Sequence, residues 1–100
     1  MKKIIKGKKY DTDTARFLAS DGNGRSDFSR VYEELYRKKT GEYFLYGSGG
    51  PMSKYSQAID QNWWSGGEDI IPLTESEARK WAEQHCTVYE YEEIFGEVEE

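Results

Sequence analysis

The sequence predicts an α+β domain in which a small antiparallel β-sheet, including a hairpin over residues 31–47, packs against two short C-terminal helices. Three observations lead there. The run Glu42–Tyr46 (EYFLY) is strongly β-prone and follows a turn-forming Lys-Lys-Thr-Gly. Two Thr-x-x-Glu patterns, Thr74–Glu77 and Thr87–Glu90, each stand before an apolar helical stripe. Aromatic residues make up 15% of a chain that is only 36% hydrophobic. Each ring can bury roughly 150–250 Å², so the aromatics can build a core for which the aliphatics are too few.

Along the chain, Lys2–Thr12 reads as strand–turn–strand or a bent strand, with Ile4 and Ile5 apolar and Gly7 at the bend. Asp11, Thr12, Asp13 and Thr14 are capping residues ahead of Ala15, Phe17, Leu18 and Ala19, which predicts a short helix. Ser20–Asp27 is a polar loop by composition. Phe28, Val31, Tyr32, Leu35 and Tyr36 fit a helical stripe, while Val31–Tyr36 also alternates as a strand. The turn ending in Gly41 favours the strand, giving a hairpin of Val31–Lys38 with Glu42–Gly47, with the helix as the alternative. Asp69–Leu73 predicts a short strand that Pro72 confines to an edge or a strand end. Ala78, Trp81, Ala82 and His85 share one face of the first helix. Val88, Tyr91, Ile94 and Phe95 form the stripe of the second, which Gly96 ends.

One hundred residues without repeats or low-complexity tracts predict a single domain over 1–100, its acidic end 97–100 expected to fray. No apolar run approaches the ~20 residues of a membrane span, and the start of the chain lacks a signal-peptide core. The lone Cys86 excludes an internal disulfide and fits a reducing cytoplasm. Net charge is −5 but uneven: residues 1–50 carry 11 basic and 7 acidic side chains, residues 51–100 carry 3 and 12. Such an asymmetry bears on partners more than on fold.

Motifs for chemistry are weak. Tyr46–Pro51 (YGSGGP) follows a strand but lacks the Gly-Lys-Ser/Thr and helix start of a phosphate loop. Asp21, Asn23 and Asp27 suggest a calcium loop, yet the positions that need Gly and Glu hold Ser26 and Tyr32. His85 and Cys86 are adjacent on a helix and so do not face one another, and His85 reads as a helix-end residue. No pair of carboxylates is singled out by apolar surroundings. The chain is therefore expected to be no enzyme and to need neither cofactor nor metal.

Binding surfaces are better represented. Trp63 and Trp64 lie beside Gly66 and Gly67, and consecutive residues of an extended chain face opposite sides. One tryptophan, Trp64, is expected beneath the helices against Trp81, and Trp63 exposed as an anchor for a partner. Glu83, Glu90, Glu92, Glu93 and Glu97 form an acidic helical face able to meet a basic groove. Lys2, Lys3, Lys6, Lys8 and Lys9 near Tyr10 offer an alternative, single-stranded nucleic acid, with Tyr32, Tyr36, Phe44 and Tyr46 either a stacking platform or, more in keeping with the need for a core, packed against the helices.

The segments KKIIKGKKYDTDTA, LYRKKTGEYFLYGSGGPMSKY, WSGGEDIIPLTESEARKWAEQH and YEEIFGEVEE together resemble small accessory proteins of phages and integrative elements of Gram-positive bacteria, some of them anti-CRISPR inhibitors of type II systems. The resemblance implies a cytoplasmic, stoichiometric protein that binds a CRISPR effector nuclease and blocks DNA loading or cleavage. An acidic surface would there compete with nucleic acid. The alternative is a nucleic-acid-binding accessory protein using the lysine-rich N-terminal segment.

Overall fold

The computed structural model describes residues 1–22, 28–61 and 63–100. Among them the elements run β1 (Lys2–Ile5), β2 (Lys8–Asp11), β3 (Arg16–Gly22), β4 (Val31–Arg37), β5 (Tyr43–Gly49), β6 (Gln57–Asp60), β7 (Trp63–Ser65), β8 (Gly67–Leu73), α1 (Glu75–His85) and α2 (Val88–Phe95). The fold is α+β, with both helices at the C-terminal end as the sequence predicts. The main sheet has the order β3-β4-β5-β8 and is antiparallel throughout, while β1-β2 and β6-β7 form separate two-stranded ribbons.

The β4–β5 hairpin forms where expected, and Gly41 takes a positive φ of 95° in its turn. A glycine adopts that conformation without a Cβ clash. β8 lies at the sheet edge, so Pro72 removes no donor that an inner strand would need. The turn between β1 and β2 places both Lys6 (φ 52°) and Gly7 (φ 79°) in the left-handed region, the pattern of a two-residue hairpin turn whose twist matches its strands.

The register sorts side chains onto two faces. Leu35, Leu45 and Ile71 are cross-strand neighbours on the face that meets the helices. There Leu35, Tyr43 and Leu45 pack with Ala78, Trp81 and Ala82, while Tyr91, Ile94 and Phe95 close the margin. On the opposite face Tyr36 stacks on Phe44 at 5.2 Å, and Tyr10 of β2 meets Phe44 edge-on at 5.5 Å. With Ile70 these rings make a second core beneath the first hairpin. Of the sheet aromatics, Tyr36 and Phe44 are buried, but against the β1–β2 ribbon rather than against the helices, while Tyr46 is half-buried and Tyr32 is exposed. Because both faces of β5 are covered, it loses the in–out alternation of a half-solvated strand.

Both helices open with complete capping boxes. Thr74 accepts from Glu77 N–H while Glu77 accepts from Thr74 N–H, and Thr87 and Glu90 repeat the arrangement. In α2 no residue is fully buried: Tyr91, Ile94 and Phe95 are half-buried, and Val88, expected in the stripe, is 77% exposed. Gly96 ends the helix, and residues 97–100 carry no helix or strand.

The helix expected after Asp11–Thr14 is instead a turn followed by β3. Asp11 accepts from the backbone N–H of Asp13 through its side chain and of Ala15 through its carbonyl, so the capping residues close a turn. The segment then pairs with β4, with an irregularity between Phe17 and Ala19 that breaks the period-two pattern and hides the strand from a reading by periodicity. Of the polar loop expected at Ser20–Asp27, the first three residues belong to β3, and residues 23–27, with the calcium-loop spacing they carry, lie outside the described residues.

Gly47 decides how the next segment crosses the sheet. A Cβ there would fall inside the ring of Tyr55, so only glycine lets the chain after β5 lie flat on the helix-side face. The substitution Gly47→Ala is expected to destabilise the fold by about 1–3 kcal/mol through overpacking, read as a lowered midpoint in urea unfolding.

Candidate partner-binding surface

Tyr55 is buried and its hydroxyl donates to Glu33 Oε2 at 2.5 Å. Glu33 projects from β4 onto the helix-side face and is only 3% exposed. It also accepts from the Trp81 indole N–H at 3.0 Å and pairs with Lys54 Nζ at 2.7 Å. A buried carboxylate is costly unless its lone pairs are matched, and here both oxygens are occupied. Burial pushes the Glu33 carboxyl up, but the hydrogen bonds from Lys54, Tyr55 and Trp81, with the Lys54 charge, outweigh it and hold it below the ordinary carboxylate value. Burial first, and then the bond to Glu33, drives the Tyr55 hydroxyl far above its ordinary range, so it stays a donor.

Lys54 and Tyr55 stand immediately before β6, so this carboxylate anchors one foot of the β6–β7 ribbon. The other foot is Gly66–Gly67, where Cβ atoms would strike the carbonyls of Gly49 and Tyr55. Between these feet the ribbon is almost wholly in solvent: Ile59 is 69%, Trp63 70% and Trp64 56% exposed. Ala58 pairs with Trp64 and Asp60 with Trp63, leaving Ile59 in the irregular step between them.

This corrects the expected split of the tryptophans. Neither enters the core, and Trp81 gives its indole N–H to Glu33 rather than meeting Trp64. The reason is the ribbon itself. Trp63 and Trp64 do face opposite sides of an extended chain, but the chain is paired only with β6 and stands off the main sheet.

The acidic residues do not form one free surface. Glu90 is committed to the Thr87 cap, Glu92 accepts from Val98 N–H at 3.1 Å, and Glu93 takes the Tyr89 hydroxyl. Glu83 and Glu97 are exposed. An open recess of about 320 Å³ lies between the helices and the chain end, lined by Glu83, Cys86, Val88, Tyr91, Glu92 and Val98. Burial, and then the charges of Glu90 and Asp21, raises the Cys86 thiol, the wrong direction for a nucleophile. His85 ends α1 as expected, but its Nδ1 lies 2.7 Å from Asp21 Oδ2 of β3 and its ring stacks on Trp81.

Two of the N-terminal lysines are drawn into internal pairs, Lys3 with Asp69 and Lys8 with Glu42 at 2.9 Å. The hydrogen bond from Lys8 is the main cause of the Glu42 carboxyl falling to about 2. Tyr32 and Tyr36 both donate to Glu34, and Tyr46 donates to Glu68. These carboxylates put negative charge among the rings that a stacked single strand would cover.

Comparison with protein-family models, with curated proteins and with solved structures returns no match. No helix among the described residues is long and apolar enough to cross a membrane.

Glu33 has a folded-state pKa below its ordinary value of 4.5, so its contribution to stability is complete above that pH and fades as the pH falls through the lower folded value. Glu33→Gln is expected to lose about 1–3 kcal/mol near neutrality by leaving the node incompletely matched. In urea melts across acid pH, the gap between the two proteins should hold down to the ordinary value and close below it. A gap independent of pH would mean that the charge of Glu33 is not what it contributes.

Proposed function

We propose that this chain is a binding protein that acts by seating the Trp63–Trp64 ribbon in a partner protein. The supporting observation is the pair of adjacent tryptophans exposed on opposite sides of a ribbon held away from the sheet. An isolated two-stranded ribbon is marginal in water, and two large exposed rings add nothing to its own stability. Buried in a partner, tryptophans are among the side chains that contribute most to an interface. Ile59 extends the apolar surface, and Asp60 and the exposed Glu83 and Glu97 bring negative charge to the same molecule.

The partner follows from the sequence resemblance: a guide-loaded type II CRISPR effector nuclease, held in a stoichiometric, non-enzymatic complex that prevents cleavage. Basic channels built for nucleic acid suit an approaching protein of net charge −5. In this reading the tryptophans supply affinity and the carboxylates supply approach and orientation.

Titrating the protein into a cleavage reaction is expected to stop turnover near one equivalent. The double variant W63A/W64A should lose inhibition by at least ~100-fold in apparent affinity, since each truncated anchor costs about 2 kcal/mol or more. Its unfolding midpoint should change little, because both rings are exposed. Undiminished cleavage with nucleases of several type II subtypes would remove the nuclease as partner. Inhibition unaffected by W63A/W64A would remove the ribbon as the contact.

A further inference from the structure

A second charged feature lies at the end of the main sheet where β4 leaves for the hairpin turn. The β3–β4 register sets Arg16 directly opposite Arg37, and Lys38 and Lys39 follow in the chain. Like charges directly opposed across a strand pair work against the pairing. Among the described residues neither guanidinium has a carboxylate within ion-pair distance. Glu90 and Glu93 face them across a recess of about 330 Å³. Those carboxylates are engaged by the Thr87 cap and the Tyr89 hydroxyl.

Two further recesses adjoin the pair, of about 380 and 150 Å³, and share Thr14, Ala15, Lys38 and Lys39. Arg16 and Arg37 line the first, Lys9 and Thr40 the second. Lys38 is held in position, its Nζ 4.2 Å from the centre of the Tyr10 ring and 3.3 Å from Glu42. Arg37 lies over the ring of Tyr43 at 5.4 Å. With Lys8 and Lys9 this end of the molecule carries six cationic side chains against Asp11, Asp13, Glu42, Glu90 and Glu93, a balance of +1 in a chain of net −5.

We propose that the strand end formed by Arg16, Arg37, Lys38 and Lys39 is a binding site for phosphate groups. Two opposed guanidinium forks and the ammonium groups of Lys38 and Lys39 line the adjoining recesses. A tetrahedral phosphate presents acceptors to several such donors, whereas a planar carboxylate is satisfied by a single fork. The site is distinct from the tryptophan ribbon and from Lys2, Lys3 and Lys6, while Lys38 shares Glu42 with Lys8.

The test uses the full chain, with a fluorescein-labelled DNA single strand of mixed sequence and inorganic tripolyphosphate as probes at low salt. The DNA is expected to bind and to weaken linearly in log–log salt titration. The double variant R16Q/R37Q should weaken it roughly tenfold or more and shallow the slope by about the two contacts removed. W63A/W64A and K2Q/K6Q should leave it unchanged. Tripolyphosphate that displaces the DNA, and raises the melting temperature of the wild type but not of R16Q/R37Q, assigns the site to free polyphosphates. DNA binding that tripolyphosphate does not displace assigns it to a nucleic-acid backbone. R16Q alone should melt no lower than the wild type, since it relieves the opposition of two cations; a marked fall would give Arg16 a structural role and count against the site. Binding of neither probe, equal binding by R16Q/R37Q, or preference for poly-glutamate would overturn the proposal.

Discussion

The carboxylate of Glu33 is where three parts of this molecule meet. From the middle of β4 it takes the indole N–H of α1, the hydroxyl of Tyr55 and the ammonium of Lys54. Without it Trp81 and Tyr55 would each bring a buried donor to an apolar interface with no acceptor, a cost comparable to a large share of a small domain's stability. Because the bonds run in different directions, the node sets helix position and loop position together. Gly47 of β5 follows from it: the Tyr55 ring that reaches Glu33 lies on Gly47.

This arrangement separates what the molecule keeps from what it presents. Most of its aromatic rings are consumed in two cores, one under the helices and one under the first hairpin. The tryptophans of β7 are left outside because their strand pairs with β6 and is no part of the main sheet. Anchors carried on a paired strand lose less freedom when a partner closes over them than anchors on an unpaired loop. At the cationic strand end Arg16 and Arg37 have no carboxylate at ion-pair distance among the described residues, in contrast to Lys3, Lys8 and Lys38, which are internally paired.

Thr74 and Thr87 announced their helices because a capping box is local, written within four residues and satisfied within them. The β4–β5 hairpin was equally open, since Gly41 and the β-prone Glu42–Tyr46 run are neighbours in sequence, and Pro72 placed its strand at an edge. These features needed no knowledge of what lies on either face. The α+β class and the two C-terminal helices follow from such short-range signals.

Long-range contacts decided the rest. Nothing near Arg16 in the chain says that it will oppose Arg37, and Phe17–Ala19 reads as helix until β4 pairs with it across an irregular step. Glu33 looks like any exposed strand carboxylate until Lys54, Tyr55 and Trp81 arrive from 21, 22 and 48 residues away. The fate of Trp63 and Trp64 depended on whether β7 joined the main sheet or paired with β6 alone. Alternation says that the two rings point apart; only the packed chain determines that neither side has a core beneath it.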